Sequence, residues 1–329
     1  MAHLTKREKE ILTQLKKDPT ISQEELADRM KITRSAAAVH ISNLMRKGAI
    51  LGRGYILDER TGILVVGRTW LEIAAQVDNP KIDISYGGMG YMMSLELIKQ
   101  QLTPTLFTVL GQDDIGDQIY QRLLQSGVNV QHLVRSNSYP TPKKLFVRNG
   151  DTDLCQITEV KNGYQLTKEA QKARCNLLRS AKVLLLDGSL AEPEIDGLCA
   201  QIKEYEVLTT ITGSSLKWCQ QKELLRCSHL FLVCHDHELM NFSGGFQAGV
   251  PESCFSICGE IVSNGLAALI VIFGQQGLVL ATKKEIAFLP ASPLKGTGTE
   301  ISITAGVVGG LAAGHGFRLA ARRALGKSE

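Results

Sequence analysis

A carboxylate and an isoleucine, Glu300 and Ile301, stand side by side where a glycine-bearing loop opens a helix. Residues 295–306 read Lys-Gly-Thr-Gly-Thr-Glu-Ile-Ser-Ile-Thr-Ala-Gly and follow a strand-like run, Ile286-Ala287-Phe288-Leu289-Pro290. The start of a helix favours anions, because its first amides are unpaired and its dipole is positive there. Glu300 adds negative charge at that place and so opposes phosphate binding. Ile301 can neither accept a proton nor hydrogen-bond a hydroxyl. A second string, Cys234-His235-Asp236-His237-Glu238, sets two histidines around a carboxylate; it reads as strand-end histidines rather than a metal site. No Gly-x-x-x-x-Gly-Lys-Ser/Thr occurs, and no Gly-x-Gly-x-x-Gly follows a strand, which argues against the P-loop and Rossmann routes to nucleotide binding. Other candidates are basic and lie near the start, at Arg34 and Arg53.

The chain that must position these groups has 329 residues, enough for two domains and a large core. Hydrophobic residues make up 44% and charged ones 21%, ordinary for a soluble globular protein. The longest apolar run, Leu266–Phe273, is too short to span a bilayer. The first residues lack the apolar segment of a secretory signal. Eight cysteines with no Cys-x-x-Cys pair, Cys254 and Cys258 being the nearest, read as reduced, mostly buried thiols of a cytoplasmic protein. Charge divides the chain: residues 1–60 hold 12 Lys/Arg against 8 Asp/Glu, and residues 61–329 hold 25 of each. The pattern predicts a basic module, 1–60, fused to a neutral one, 61–329.

In the basic module, Thr5 with Glu8 and Ser22 with Glu25 form capping boxes that start two helices. Asp18-Pro19 closes the first, Lys31-Ile32-Thr33 turns, and Thr33 caps a third helix running to Lys47, with Gly48 as its C-cap. Ala37, Ile41, Leu44 and Met45 share its inner face, leaving Arg34, Ser35, Ala38 and His40 toward solvent. Ala49–Leu57 reads as a hairpin with a Gly-Arg-Gly tip. Three helices and a hairpin in this order resemble a winged helix-turn-helix. That resemblance implies double-stranded DNA as partner, the third helix entering the major groove and Arg53 on the wing reaching phosphate or the minor groove. Arg34 would take guanine, the default pairing of an exposed arginine. Dimerisation is expected, because such proteins generally read two half-sites.

Beyond a polar join at Asp58–Gly62, strands and helices alternate. Strands are predicted at 63–67, 105–110, 183–187, 229–234 and 268–273, and helices near 114–126, 167–179, 190–204, 215–226 and 256–266. The alternation indicates an α/β domain with a mainly parallel sheet flanked by helices.

Six motifs in order make this part resemble the ribokinase-like (PfkB) sugar and nucleoside kinases. They are Val65-Val66-Gly67 followed by Glu72; Gly87-Gly88-Met89-Gly90-Tyr91-Met92; Gly111–Gly116 with Gly127-Val128-Asn129; Cys234–Glu238; Ile272–Gly277; and the loop 295–306. The resemblance implies a sugar or nucleoside pocket at Glu72, Gly87, Gly88 and Met92. It implies a nucleotide and magnesium region at Glu238, Gly274 and Gly298, and a catalytic base at the position of Ile301. Glycines that shape the backbone are retained, whereas contact positions differ from the family pattern: Glu72 for Asp, Met92 for Asn, His235 for Asn, Ile272 for Thr and Ile301 for Asp. Met89, Met92 and Met93 are expected to fill the emptied pocket, and Trp70 and Trp218 to be packing residues. The chain also ends soon after the helix that begins near Ile301, where family members usually continue with another.

Scaffold kept and contacts changed implies a DNA-binding transcriptional regulator whose kinase-like domain acts as a sensor or dimerisation module with a sugar or nucleoside effector. The alternative is a sugar or nucleoside kinase carrying a DNA-binding domain. It would use ATP and magnesium and needs Glu300 or Asp236 in place of the base. No cofactor is otherwise implied.

Overall fold

A computed structural model describes residues 5–17, 21–46, 49–52, 56–57, 62–150, 152–159, 167, 175–213, 216–247, 249–291 and 299–326. The chain divides into two compact units, 1–60 and 61–329. The first holds α1 (Lys6–Lys17), α2 (Gln23–Met30) and α3 (Arg34–Arg46), then an antiparallel pair, β1 (Ile50–Gly52) and β2 (Ile56–Leu57). Both capping boxes form. Thr5 N donates to Glu8 Oε2 at 2.6 Å while Glu8 N donates to Thr5 Oγ1, and Ser22 and Glu25 repeat the exchange. Lys31 ends α2 in the left-handed region (φ 52°), turning the chain sharply into α3. Thr33 Oγ1 then accepts from Ala36 N at 3.1 Å. Ile11, Leu15, Ile21, Leu26, Ile41, Leu44 and Ile50 form the core. Gly48 and Arg53 lie outside the described residues, as do Asp18-Pro19 and Lys47.

The second unit runs β3 (Gly62–Val66), β4 (Trp70–Gln76), β5 (Lys81–Gly87), α4 (Met89–Lys99), β6 (Pro104–Phe107), β7 (Val109–Gly111), α5 (Asp114–Gln125), β8 (Val134–Ser136), β9 (Lys143–Asn149) and β10 (Thr152–Glu159). It continues with α6 (Cys175–Ser180), β11 (Ala181–Asp187), α7 (Glu192–Tyr205), β12 (Leu208–Thr212), α8 (Leu216–Gln221), β13 (Leu230–His235), α9 (Asp236–Ser243) and α10 (Phe255–Ser263). Last come β14 (Ala268–Phe273), β15 (Gly277–Thr282), β16 (Ile286–Pro290), α11 (Glu300–Ala312) and α12 (Phe317–Ala324). Eight strands form the main sheet in the order β16-β15-β14-β13-β12-β11-β3-β6. The six from β6 to β14 are parallel, and β15 and β16 close the edge antiparallel. Alternate residues enter two cores. Leu64, Val66, Leu184, Leu186 and Leu232 face one, while Ile63, Val65, Val183, Leu185 and Phe231 face the other. Near-continuous apolar strands are what a parallel sheet covered on both faces requires.

Several elements were absent from the sequence expectation. A separate four-stranded sheet, β10-β9-β4-β5, stands apart from the main one. Its strands are half-buried or exposed, and only β5, Lys-Ile-Asp-Ile-Ser-Tyr, alternates polar and apolar residues. A further helix follows α11 after all: α12 packs along it. An added Cβ at Gly306 or Gly310 would meet Ala324 or Ala320 at 2.7 Å, so the small residues of α11 exist to let α12 approach.

Candidate active site and nucleic-acid interface

In an open α/β sheet, ligands collect beyond the carboxyl ends of the strands, where the strand order reverses. Here β3 leads to β6 on one side and β11 follows on the other, so the reversal falls between β3 and β11. The groups at that point are packed backbone to backbone. A Cβ at Gly90 would meet Gly67 O at 2.7 Å, and Gly88, at φ 96°, approaches Arg68 O. Glycine is therefore required at this turn into α4 for its geometry. Glu72 and Gly87 lie on paired strands of the four-stranded sheet, with Glu72 Oε2 3.4 Å from Trp70 Nε1. Lys144 stands over the Trp70 ring, 5.1 Å from its centroid. Met93 is fully buried and Met89 half-buried, but Met92 is 45% exposed and does not fill the pocket as expected.

Sequence reasoning missed the charged floor beneath this turn. Asp187 ends β11 only 2% exposed. Its Oδ2 accepts from Arg68 N at 2.9 Å, and its Oδ1 accepts from Ser189 N and Oγ. Arg68 also pairs with the buried Glu194 at 3.0 Å. A lone carboxylate closing the apolar run Val183–Leu186 was the available signal, since a buried charge must be hydrogen-bonded. Asp113 plays a comparable holding part at the N-cap of α5. Its carboxylate accepts from Gly116 N, Thr141 N and Thr141 Oγ1 at 2.6–2.7 Å. Burial acts to raise this carboxyl, yet the bonds from Thr141 and Gly116, with Lys143 nearby, hold it below its ordinary value.

A second cluster gathers two strands further along, about 10 Å away at ordinary strand spacing. His235 ends β13 and its N–H donates to Glu238 Oε2 at 2.8 Å. The His235 ring stacks on His237 with centroids 5.4 Å apart, and its Nε2 lies 3.8 Å from Glu300 Oε2. Thr299 caps α11 by accepting from Ser302 N. Ile301, next to Glu300, packs against the apolar core. Burial pushes the Glu300 carboxyl above its ordinary range, Glu238 adds repulsion and His237 opposes the shift. Among the described residues no three His, Cys, Asp or Glu side chains are grouped to hold a metal ion. Ile272 is buried at the end of β14, and Gly274 turns into β15 at φ 49°. Gly298 lies outside the described residues.

In the first unit α3 presents a separate surface. Ala37, Ile41 and Leu44 are buried, and Arg34 and Ser35 are exposed. Met45, expected inward, is 43% exposed, because it falls at the flank of the helix rather than under it. Ala38 is half-buried. His40, expected toward solvent, is also half-buried, and its Nδ1 is enclosed with no hydrogen-bond partner.

Residues 60–326 match the pfkB family carbohydrate kinases, and residues 4–50 match winged helix-turn-helix DNA-binding domains. The chain belongs to the pfkB family. It couples a ribokinase-like domain to an N-terminal winged helix-turn-helix. Within the family it is 29% identical over 336 residues to the uncharacterized sugar kinase YeiI of Escherichia coli K12, covering 98% of this chain and 92% of that one. A putative sugar kinase from Clostridium perfringens superposes with a TM-score of 0.69 at 15% identity, over 80% of this chain and 87% of that one. Arabidopsis thaliana ribokinase, solved with ribose and ATP, gives 0.66 at 17%, over 80% and 90%. At such identities these pfkB-type structures establish the shared fold. Among the described residues no helix is long and apolar enough to cross a membrane.

Proposed function

We propose that this chain is a DNA-binding transcriptional regulator whose pfkB domain serves as sensor and dimerisation module for a sugar or nucleoside effector. The start of α11 carries the reading. By the resemblance the family's base position falls on Ile301, half-buried against the core, and the helix N-terminus holds a half-buried carboxylate, Glu300, where phosphate charge would need amides. The described residues there do not fit a magnesium–nucleotide group. The turn beside β3 and β11 keeps Gly67, Gly87, Gly88 and Gly90, and on this reading a neutral hydroxylated ligand binds next to it without undergoing transfer. An effector shifts operator affinity only if the two conformations bind it unequally.

A homodimer is supported by one face of the four-stranded sheet. Ile84, Ile73, Leu145 and Ile157 form one cross-strand row in register, with Ile82, Ala75 and Val147 beside it, and Ile82, Ile84 and Ile157 are exposed. A second reading, a working sugar or nucleoside kinase using ATP and magnesium, is favoured by the raised Glu300 carboxyl, a property useful in a general base. It predicts ATP turnover that is lost in Glu300→Gln.

The regulator reading is tested by selection from random double-stranded DNA with the full chain. A recovered consensus bound with steep salt dependence, and weakened by Arg34→Ala, is the expected result. Recovery of no preferred sequence sinks it.

A further inference from the structure

The centre of the α3 outer face carries a valine that the fold does not use. A helix advances about 100° per residue, so with Ala37, Ile41 and Leu44 turned to the core, Val39 lies diametrically opposite, with Ser35 close beside it and Ser42 and Asn43 on its flanks. Val39 is 59% exposed. A β-branched residue is a mediocre helix former, and this one is left mostly to solvent. Ser35, Ala38, Val39 and Ser42 offer no amide or guanidinium, so they cannot make the bidentate bonds that specify guanine or adenine, and the amide on the flank, Asn43, is half-buried and already engaged. What they offer is a shallow apolar spot between two small hydroxyls. The positive excess of residues 1–60 supplies attraction to phosphate from elsewhere on the unit.

We propose that Val39 is a specificity-determining residue that reads thymine through its C5-methyl group, with double-stranded DNA as the one occupant of this face. The inference rests on the DNA-binding reading above. It makes Val39, rather than His40, the middle of the base-reading surface, with Arg34 at the leading end of the helix.

The test uses the full chain and the site recovered by selection. Each thymine in that site is replaced in turn by deoxyuridine, which removes only the methyl group, and Kd is measured at one salt concentration. Burial of a methyl-sized group corresponds to about fourfold in affinity. A penalty near that size is expected at one thymine per half-site, and it is expected to vanish in Val39→Ala. The salt slope of Val39→Ala should equal that of the wild type, because no phosphate contact is removed. A wild type indifferent to uracil at every position overturns the inference and leaves DNA binding standing. So does a penalty that survives unchanged in Val39→Ala. If no sequence is selected at all, the DNA-binding reading fails and this inference with it. The face would then be the seat of a protein partner.

Discussion

Burial holds the Glu300 carboxyl above its ordinary value, and titratable groups lie near it: Glu238 and His237 on α9, and Cys234 and His235 at the end of β13. The folded state therefore keeps this proton to higher pH than the unfolded chain does. Stability must fall as pH rises through the window between the two values and stay lowered above it. Glu300→Gln removes that loss. Its melting temperature should exceed the wild type's near neutral pH, and the gap should close toward acid, where Glu300 is protonated in both states. An equal gap at every pH would contradict the assignment. Asp113 has the opposite sign. Its folded carboxyl is held low, so its contribution is present above the ordinary carboxylate value and is lost as pH falls through the folded one. Asp113→Ala removes three accepted hydrogen bonds and a cap. It should cost about 2–3 kcal/mol by urea denaturation at neutral pH.

At the scale of elements, the Gly67–Gly90 approach fixes how β3 hands the chain to α4. An added Cβ at Gly90 meets backbone rather than a movable side chain. Gly90→Ala should therefore destabilise by about 1–3 kcal/mol, measured by the same urea titration, while an alanine at the open Gly316 should be tolerated. The sequence made the main sheet legible because apolar runs such as Ala268–Phe273 can only be buried strands or helices, and their length decides for strands. The four-stranded sheet was not legible. Its strands β4 and β10 are half-buried or exposed, so no long apolar run marks them. The capping boxes of α1 and α2 were readable to the residue, because a cap is a local interaction between positions i and i+3. The Arg68–Asp187–Glu194 floor spans more than a hundred residues of sequence, so the carboxylate at the end of the Val183–Leu186 run could mark a buried charge but not name its partners. Met45 and His40 were misplaced because each lies on the flank of α3, where a small rotation of the helix decides exposure.

At the scale of the whole molecule, the chain joins a basic unit of 1–60 to an electrically balanced one of 61–329. If the apolar row on the four-stranded sheet seats a second copy, Ile84→Glu with Ile157→Glu should convert a dimer to a folded monomer in sedimentation. The same pair should weaken operator binding far more than binding to a half-site. The most direct measurement is phosphoryl transfer. Purified full-length chain is incubated with ATP, magnesium and a panel of sugars and nucleosides, and phosphorylated product is quantified by mass spectrometry. Working kinases turn over at about 1–100 s⁻¹, and loss of a general base typically costs a factor of ~10²–10⁴. If Ile301 stands at the base position, as proposed, the expected rate is at most about a hundredth of the working range on every substrate. Turnover inside that range on any member of the panel, abolished by Glu300→Gln, would contradict the regulator reading and establish a kinase.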